Sequence, residues 1–207
     1  MNIRESYDSA AEAYAEHLAT ELAGKPLDRH LLNRFAEETR GHGVVADLGC
    51  GPGHVARYLH DQGVAVAGVD LSPEMIKVAQ CLNPGLDFQV GDMKQLQMPD
   101  ASLEGVVAFY AIVHFDADEL GEVFLEVRRV LSPGGLALLA FHIGDQVVHV
   151  EDLFGSPVSL DFRFHDPRTV TEALRSAHLE VIEHVEREPY EGAEYPSRRC
   201  YLLARAA

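Results

Sequence analysis

The stretch Val44-Val45-Ala46-Asp47-Leu48-Gly49-Cys50-Gly51-Pro52-Gly53 restricts the possible folds of this chain more than any other. An apolar run, interrupted only by Asp47, ends in a turn with glycine at alternate positions, and a helical pattern begins near His54. Glycine supplies the positive φ that tight turns require, and without a Cβ it lets a ligand lie against the backbone. The free N–H groups at the start of the following helix favour a carboxylate or phosphate. Buried strand, glycine turn and helix in this order describe the carboxyl edge of a parallel α/β sheet, where nucleotide-type ligands bind. Dinucleotide turns are spaced Gly-x-Gly-x-x-Gly. Here the spacing is Gly-x-Gly-x-Gly, with an aspartate two positions ahead of Gly49. A diphosphate is poorly suited to that neighbouring carboxylate, whereas a cationic ligand tolerates it.

The rest of the chain repeats the alternation. Short apolar runs at Val44–Leu48, Val64–Val69, Leu103–Tyr110 and Leu136–Phe141, with a weaker one at Asp87–Val90, read as strands covered on both faces. Helical patterns follow at Val55–Gln62, at Pro73–Leu82 with Ser72 as N-cap, and at Asp118–Leu131, the last stopped by Ser132-Pro133-Gly134-Gly135. Arg4–Ala23 and Leu27–Glu38 read as two amphipathic helices ahead of this core. Gly144–Phe164 reads as a long irregular segment, of a length that is uncommon unless functional. A helix from Asp166-Pro167 to Ala177 and strands at Leu179–Val185 and Cys200–Ala204 finish the chain, joined by the polar stretch Glu186–Arg199.

The expected fold is α/β: a doubly wound, Rossmann-like sheet, mostly parallel with an antiparallel last strand, helices on both faces and two extra N-terminal helices. Residues 1–207 are expected to form one domain. In it, 1–40 is a helical lid, 41–143 the ligand-binding core, and 144–207 the substrate side and last strands.

With 33 acidic and 17 basic residues the net charge is −16, which repels phosphate backbones and anionic membranes. No nucleic acid and no membrane are expected as partners. The cysteines Cys50, Cys81 and Cys200 are odd in number and widely spaced, which fits neither a disulfide framework nor a zinc site. The N-terminus has no apolar signal core and the apolar runs are too short to span a bilayer. A cytoplasmic location is expected.

Taken in order, these elements resemble the class I S-adenosylmethionine (SAM)-dependent methyltransferases. Asp47 to Gly53 is similar to the first motif of that family. Asp70 in Gly68-Val69-Asp70-Leu71-Ser72 matches the acid that holds the ribose, Gly91-Asp92-Met93 the adenine turn, and Phe109 to His114 the fourth-strand motif beside the methionine moiety and the acceptor. Arg128 to Gly135 resembles the lead into the fifth strand, and Tyr7 with Tyr14 a helix that covers SAM in small-molecule members. The resemblance implies SAM as cofactor and S-adenosylhomocysteine as its product. It assigns Asp47, Gly49 and Gly51 to the methionine end, Asp70 to the ribose, and Asp92 and Met93, in the turn opened by Gly91, to the adenine, with Cys50, Leu71 and Met75 as further cofactor contacts. Tyr7, Tyr14, Phe109 and Tyr110 complete the site. Cys50 stands at the variable position of the turn, with no base placed to activate it.

The expected reaction is SN2 transfer of a methyl group to an oxygen, nitrogen or carbon of a small molecule. The protein's part in it is alignment and exclusion of water. Tyr110, His114 and His142 are the candidates for the acceptor pocket, and His114 is also a candidate general base because its ordinary pKa lies near neutrality. His142, His149, Glu151 and Asp152 lack a tight ligand spacing, so no metal is expected. Alternatives are a protein or tRNA methyltransferase, a SAM-binding regulator without activity, and a nicotinamide-dependent oxidoreductase. The oligomeric state is left open.

Overall fold

The computed structural model describes residues 1–192 and 194–207. Seven strands form one sheet: β1 Val44–Leu48, β2 Ala65–Asp70, β3 Asp87–Val90, β4 Leu103–Phe109, β5 Leu131–His142, β8 Leu179–Arg187 and β9 Arg199–Ala206. Their order is β3-β2-β1-β4-β5-β9-β8. β9 runs antiparallel to both of its neighbours, and the other pairs are parallel. The chain leaves β1 toward β2 on one side and returns to β4 on the other, so the switch point lies above β1, where the glycine turn stands.

Alternating strand residues feed two helical layers. Val45, Val107, Leu138 and Leu203 point to one face, covered by α2 (Pro26–Thr39), α3 (His54–Asp61) and α4 (Pro73–Leu82). Ala46, Val106, Leu139 and Leu202 point to the other, covered by α5 (Ala117–Val130) and α6 (Pro167–Ser176). Sheets buried on both faces are built from such near-continuous apolar strands. α2 belongs to the first layer, because Leu32, Phe35 and Ala36 are buried against the sheet. α1 (Ile3–Leu18) lies outside both layers, and the short 3-10 turn Glu21–Gly24 that follows packs Leu22 against the first layer's core. The expected single helix Arg4–Ala23 is thus broken after Leu18.

The main departure from expectation is Gly144–Phe164. It is an antiparallel hairpin, β6 Val147–Leu153 and β7 Ser156–Arg163, standing apart from the main sheet. Phe154 (φ 56°) and Gly155 (φ 83°) make the two-residue turn, with Asp152 accepting from the Gly155 N–H at 2.9 Å. Two positive φ angles suit the twist of a hairpin, and Asn or Asp usually takes the first position; a phenylalanine there conceals the signal. A smaller difference concerns β4, which stops at Phe109, because Tyr110 adopts φ 54°. No helix among the described residues is long and apolar enough to cross a membrane.

Candidate active site

The glycine turn is held from below by β2. The N–H groups of Gly49 and Cys50 both donate to the carbonyl of Val69, at 2.8 and 3.1 Å. Asp70, the last residue of β2, accepts from Gly51 N–H at 2.8 Å and from Ser72 N–H at 2.9 Å. Burial pushes the Asp70 pKa up, and the backbone donors oppose that shift. Gly49 has φ +68°, and a Cβ there would lie 2.6 Å from the Cβ of Ala111. A glycine at position 49 therefore lets Ala111 pack directly against the turn.

Asp47 departs from its expected role. It is 2% exposed and does not line the cavity above the turn. Its carboxylate accepts from the N–H of Ala56 at 3.0 Å, satisfying an otherwise unpartnered donor in the first turn of α3. Burial raises its pKa to about 7. Asp47 anchors the helix to the strand.

Above the turn lies a cavity of about 250 Å³. The structure brings to it Gly49, Cys50 and Gly51 from the turn, Asp70, Leu71 and Met75 from the next strand and helix, and Gly91, Asp92 and Met93 from the end of β3. Phe109 and Tyr110 close one side, and Tyr7 and Tyr14 of α1 lie across the top. Asp92 also accepts from its own Lys94 N–H at 2.8 Å, so it serves the turn and faces the cavity at once. Among the described residues Lys94 is the one lysine or arginine on this wall, and it is paired with Glu119 at 3.2 Å. The cavity thus offers a carboxylate, a glycine cradle and aromatic cover, with no free cation for a diphosphate. That donor set fits SAM.

α1 is tied to two neighbours near its N-terminal end. Asp8 accepts from Ser72 Oγ at 2.6 Å and from Glu74 N–H at 3.2 Å. Ser6 accepts from Ser159 N–H of the hairpin at 3.1 Å. Between these ties, the Tyr7 hydroxyl lies 2.8 Å from His114 Nε2, and His114 Nδ1 lies 3.0 Å from the carbonyl of Asp161. A carbonyl only accepts, so Nδ1 carries the proton and Nε2 accepts from Tyr7. Burial lowers the His114 pKa and raises that of Tyr7.

A second cavity, of about 740 Å³, adjoins the first. Tyr7, Tyr14, His54, Phe109 and Tyr110 line both. Tyr110 and His142, two expected acceptor residues, are on its wall; His114 lines only the first cavity. His142 stacks on Phe164 with ring centres 4.9 Å apart, and burial, then the Arg199 charge, lowers its pKa to about 4. His142 and His149 have separate partners, Ser197 Oγ and Asp161, each at 2.7 Å.

Several residues of this wall come from outside the sequence motifs. Glu21, Lys25 and Asp28 come from the 3-10 turn and α2, and Glu194, Tyr195 and Arg199 from the polar connector and β9. Glu21 lies 3.2 Å from His54 and bonds Lys25; against the upward push of burial, these partners hold its pKa near 2. Glu21 and Lys25 are four residues apart, but His54 and Glu194 reach them from distant parts of the chain, which no local pattern records. The composition of Glu186–Arg199, rich in tyrosine and charge, was the one available hint.

A methyltransferase-domain family model matches residues 45–135. A malonyl-acyl-carrier-protein O-methyltransferase from Erwinia billingiae is 31% identical over 139 residues, 67% of this chain and 52% of that protein. A sterol 24-C-methyltransferase from Gibberella zeae is 27% identical over 194 residues, 87% of this chain and 47% of that protein. A Pyrococcus horikoshii protein of solved structure superposes with a TM-score of 0.69 at 25% identity, covering 95% of this chain and 91% of its own. The chain spans between 52% and 62% of the length of the first curated relatives it matches. By its family match, its relatives and its fold, the chain belongs to the class I SAM-dependent methyltransferases.

Proposed function

We propose that this chain transfers a methyl group from SAM to a small-molecule acceptor. The observation that carries the reading is the pair of adjoining cavities with a common wall of Tyr7, Tyr14, His54, Phe109 and Tyr110. The smaller one suits the cofactor and the larger the acceptor. When bound, SAM supplies a methyl group on a positively charged sulfur, an electrophile that needs no metal.

The chain's own residues align and shield. The Gly49–Gly51 backbone and Asp70 hold the cofactor's methionine and ribose ends, and Asp92 with Met93 hold the base. Tyr7 and Tyr14 exclude water from above, which strengthens polar interactions inside. A base role for His114 runs through Tyr7, because the hydroxyl of Tyr7 occupies Nε2 and touches both cavities. A proton leaving the acceptor passes to the Tyr7 oxygen while Tyr7 gives its own to His114. We assign residues 1–207 to one domain, with 41–143 seating the cofactor and 144–207 walling the acceptor cavity. Within 1–40, α1 and the 3-10 turn cover the cavities, and α2 braces the sheet.

Calorimetry with SAM, S-adenosylhomocysteine and NADH tests the cofactor; binding of NADH without SAM would overturn the reading. A screen with methyl-labelled SAM against a metabolite panel tests the activity.

A further inference from the structure

Among the described residues, four other than glycine have positive φ: Ala101, Tyr110, Phe154 and His178. Two of them line the larger cavity, Tyr110 at the end of β4 and Phe154 at the tip of the β6–β7 hairpin. Ala101 and His178 line neither cavity. A bulky side chain at positive φ is an outlier, and residues held that way gather at ligand clamps and active sites.

The fold accounts for Tyr110 better than for Phe154. Tyr110 packs against the core of the first helical layer. Phe154 is 40% exposed and stands outside the buried clusters. Its turn has φ 56° followed by φ 83°, for which asparagine or aspartate and then glycine are the favoured pair. Gly155 follows that rule and Phe154 breaks it. Burial does not offset the strain.

The ring of Phe154 touches the wall of the site instead. It stacks on His17 with ring centres 3.8 Å apart and 19° between the planes, and it meets Tyr14 at 5.7 Å. Both partners line the larger cavity, as do Leu18, next to His17, and Leu153, next to Phe154. Tyr14 in turn lies against the cofactor turn, where a Cβ on Gly51 would come within 3.6 Å of its ring. Tyr14 also meets Tyr7 edge-on at 5.9 Å. Aromatic contacts thus run from the hairpin tip to the wall shared by both cavities.

We propose that Phe154 determines acceptor specificity: its ring, held at a strained turn position, presses an apolar part of the acceptor against the wall of Tyr14 and Leu18. Turn stability is given up there for ligand contact. This rests on the reading above that the larger cavity takes the acceptor.

The test uses the full chain loaded with S-adenosylhomocysteine, the neutral fluorescent probe N-phenyl-1-naphthylamine, and the variants Phe154→Asn and Phe154→Ala. Both variants remove the ring, but only asparagine suits the turn. S-adenosylhomocysteine is titrated first: if the parent does not bind it, the methyltransferase reading fails and the proposal with it. If it binds, the parent is expected to bind the probe, and both variants to bind it about tenfold more weakly for loss of the aromatic contact. Phe154→Asn is also expected to have the higher urea midpoint of the two. No binding to the parent, unchanged affinity in either variant, affinity recovered in asparagine along with stability, or equal midpoints overturns the proposal and leaves the cofactor reading standing. A ring that only fastened the hairpin to α1 would also lower affinity when removed, so contact is measured directly on the parent. Nuclear Overhauser contacts are expected between the bound probe and the phenylalanine ring signals that disappear in Phe154→Asn. A bound probe without those contacts does not touch Phe154, and the proposal falls.

Discussion

Replacing Gly49 by alanine sets two costs against each other, and a second glycine separates them. Residue 49 has φ +68°, a conformation that costs an L-residue about 1–2 kcal/mol. The new Cβ would also lie 2.6 Å from Ala111 Cβ and 3.5 Å from Ala111 Cα. Overpacking of this kind costs about 1–3 kcal/mol, because backbone must shift to relieve it. The sum is about 2–5 kcal/mol, and at this chain length each kcal/mol lowers Tm by about 2–4 °C. Gly41→Ala is the control: its φ is +82°, and a Cβ there meets nothing within 4 Å. It is expected to lose only the conformational part, about 1–2 kcal/mol. Urea unfolding gives both values, and calorimetry with S-adenosylhomocysteine gives the functional one. Ala111 lines the cofactor cavity, so Gly49→Ala is expected to lose more than tenfold in affinity and Gly41→Ala none. Equal destabilisation of the two variants with equal, undiminished affinity would refute the idea that the packing of Ala111 on the turn shapes the cofactor cavity.

Other outcomes follow from the same geometry. Asp70→Ala is expected to weaken SAM binding by about 1.5–3 kcal/mol per charged hydrogen bond lost; unchanged affinity by calorimetry would remove Asp70 from the ribose. Asp47 has a folded pKa near 7 against 3.8 for the free group. The folded state therefore keeps a proton that the unfolded chain releases, and this group's contribution to stability falls as pH rises from about 4 to about 7, then levels off. Asp47→Asn should lack that slope, so its urea midpoint should gain on the parent's between pH 5 and pH 8; parallel profiles would contradict the burial of an ionisable carboxyl. Once an acceptor is known, Tyr7→Phe and His114→Ala should lower kcat to similar levels, with the double variant no lower; additive losses would mean that the two do not act as one relay.

Much of the fold was legible because it depends on local rules. Ser72 caps α4 by accepting from Met75 N–H at 3.1 Å, and Pro73 opens that helix at the expected residue. The strands of the parallel core are near-continuous apolar runs, which leave little choice of period. The hairpin was less legible, although Val158, Leu160 and Phe162 alternate with polar residues, because Phe154 hides its turn. Asp47 shows the limit for single residues. The sequence places it beside the ligand turn, but the direction of its side chain depends on the pleat of β1 and on the position of the Ala56 N–H.

The sequence by itself determined the glycine turn, the order of strands and helices that identifies the cofactor, and the helix caps, because each rests on neighbours a few residues apart. Only the tertiary structure decided the acceptor side. Asp28, Glu194 and Arg199 are joined through Arg187 and Tyr201 across more than 150 residues of chain. Tyr7 meets His114 only because α1 is tied both to α4 and to the hairpin. Contacts of that kind depend on how the layers close on one another, which no spacing along the chain records.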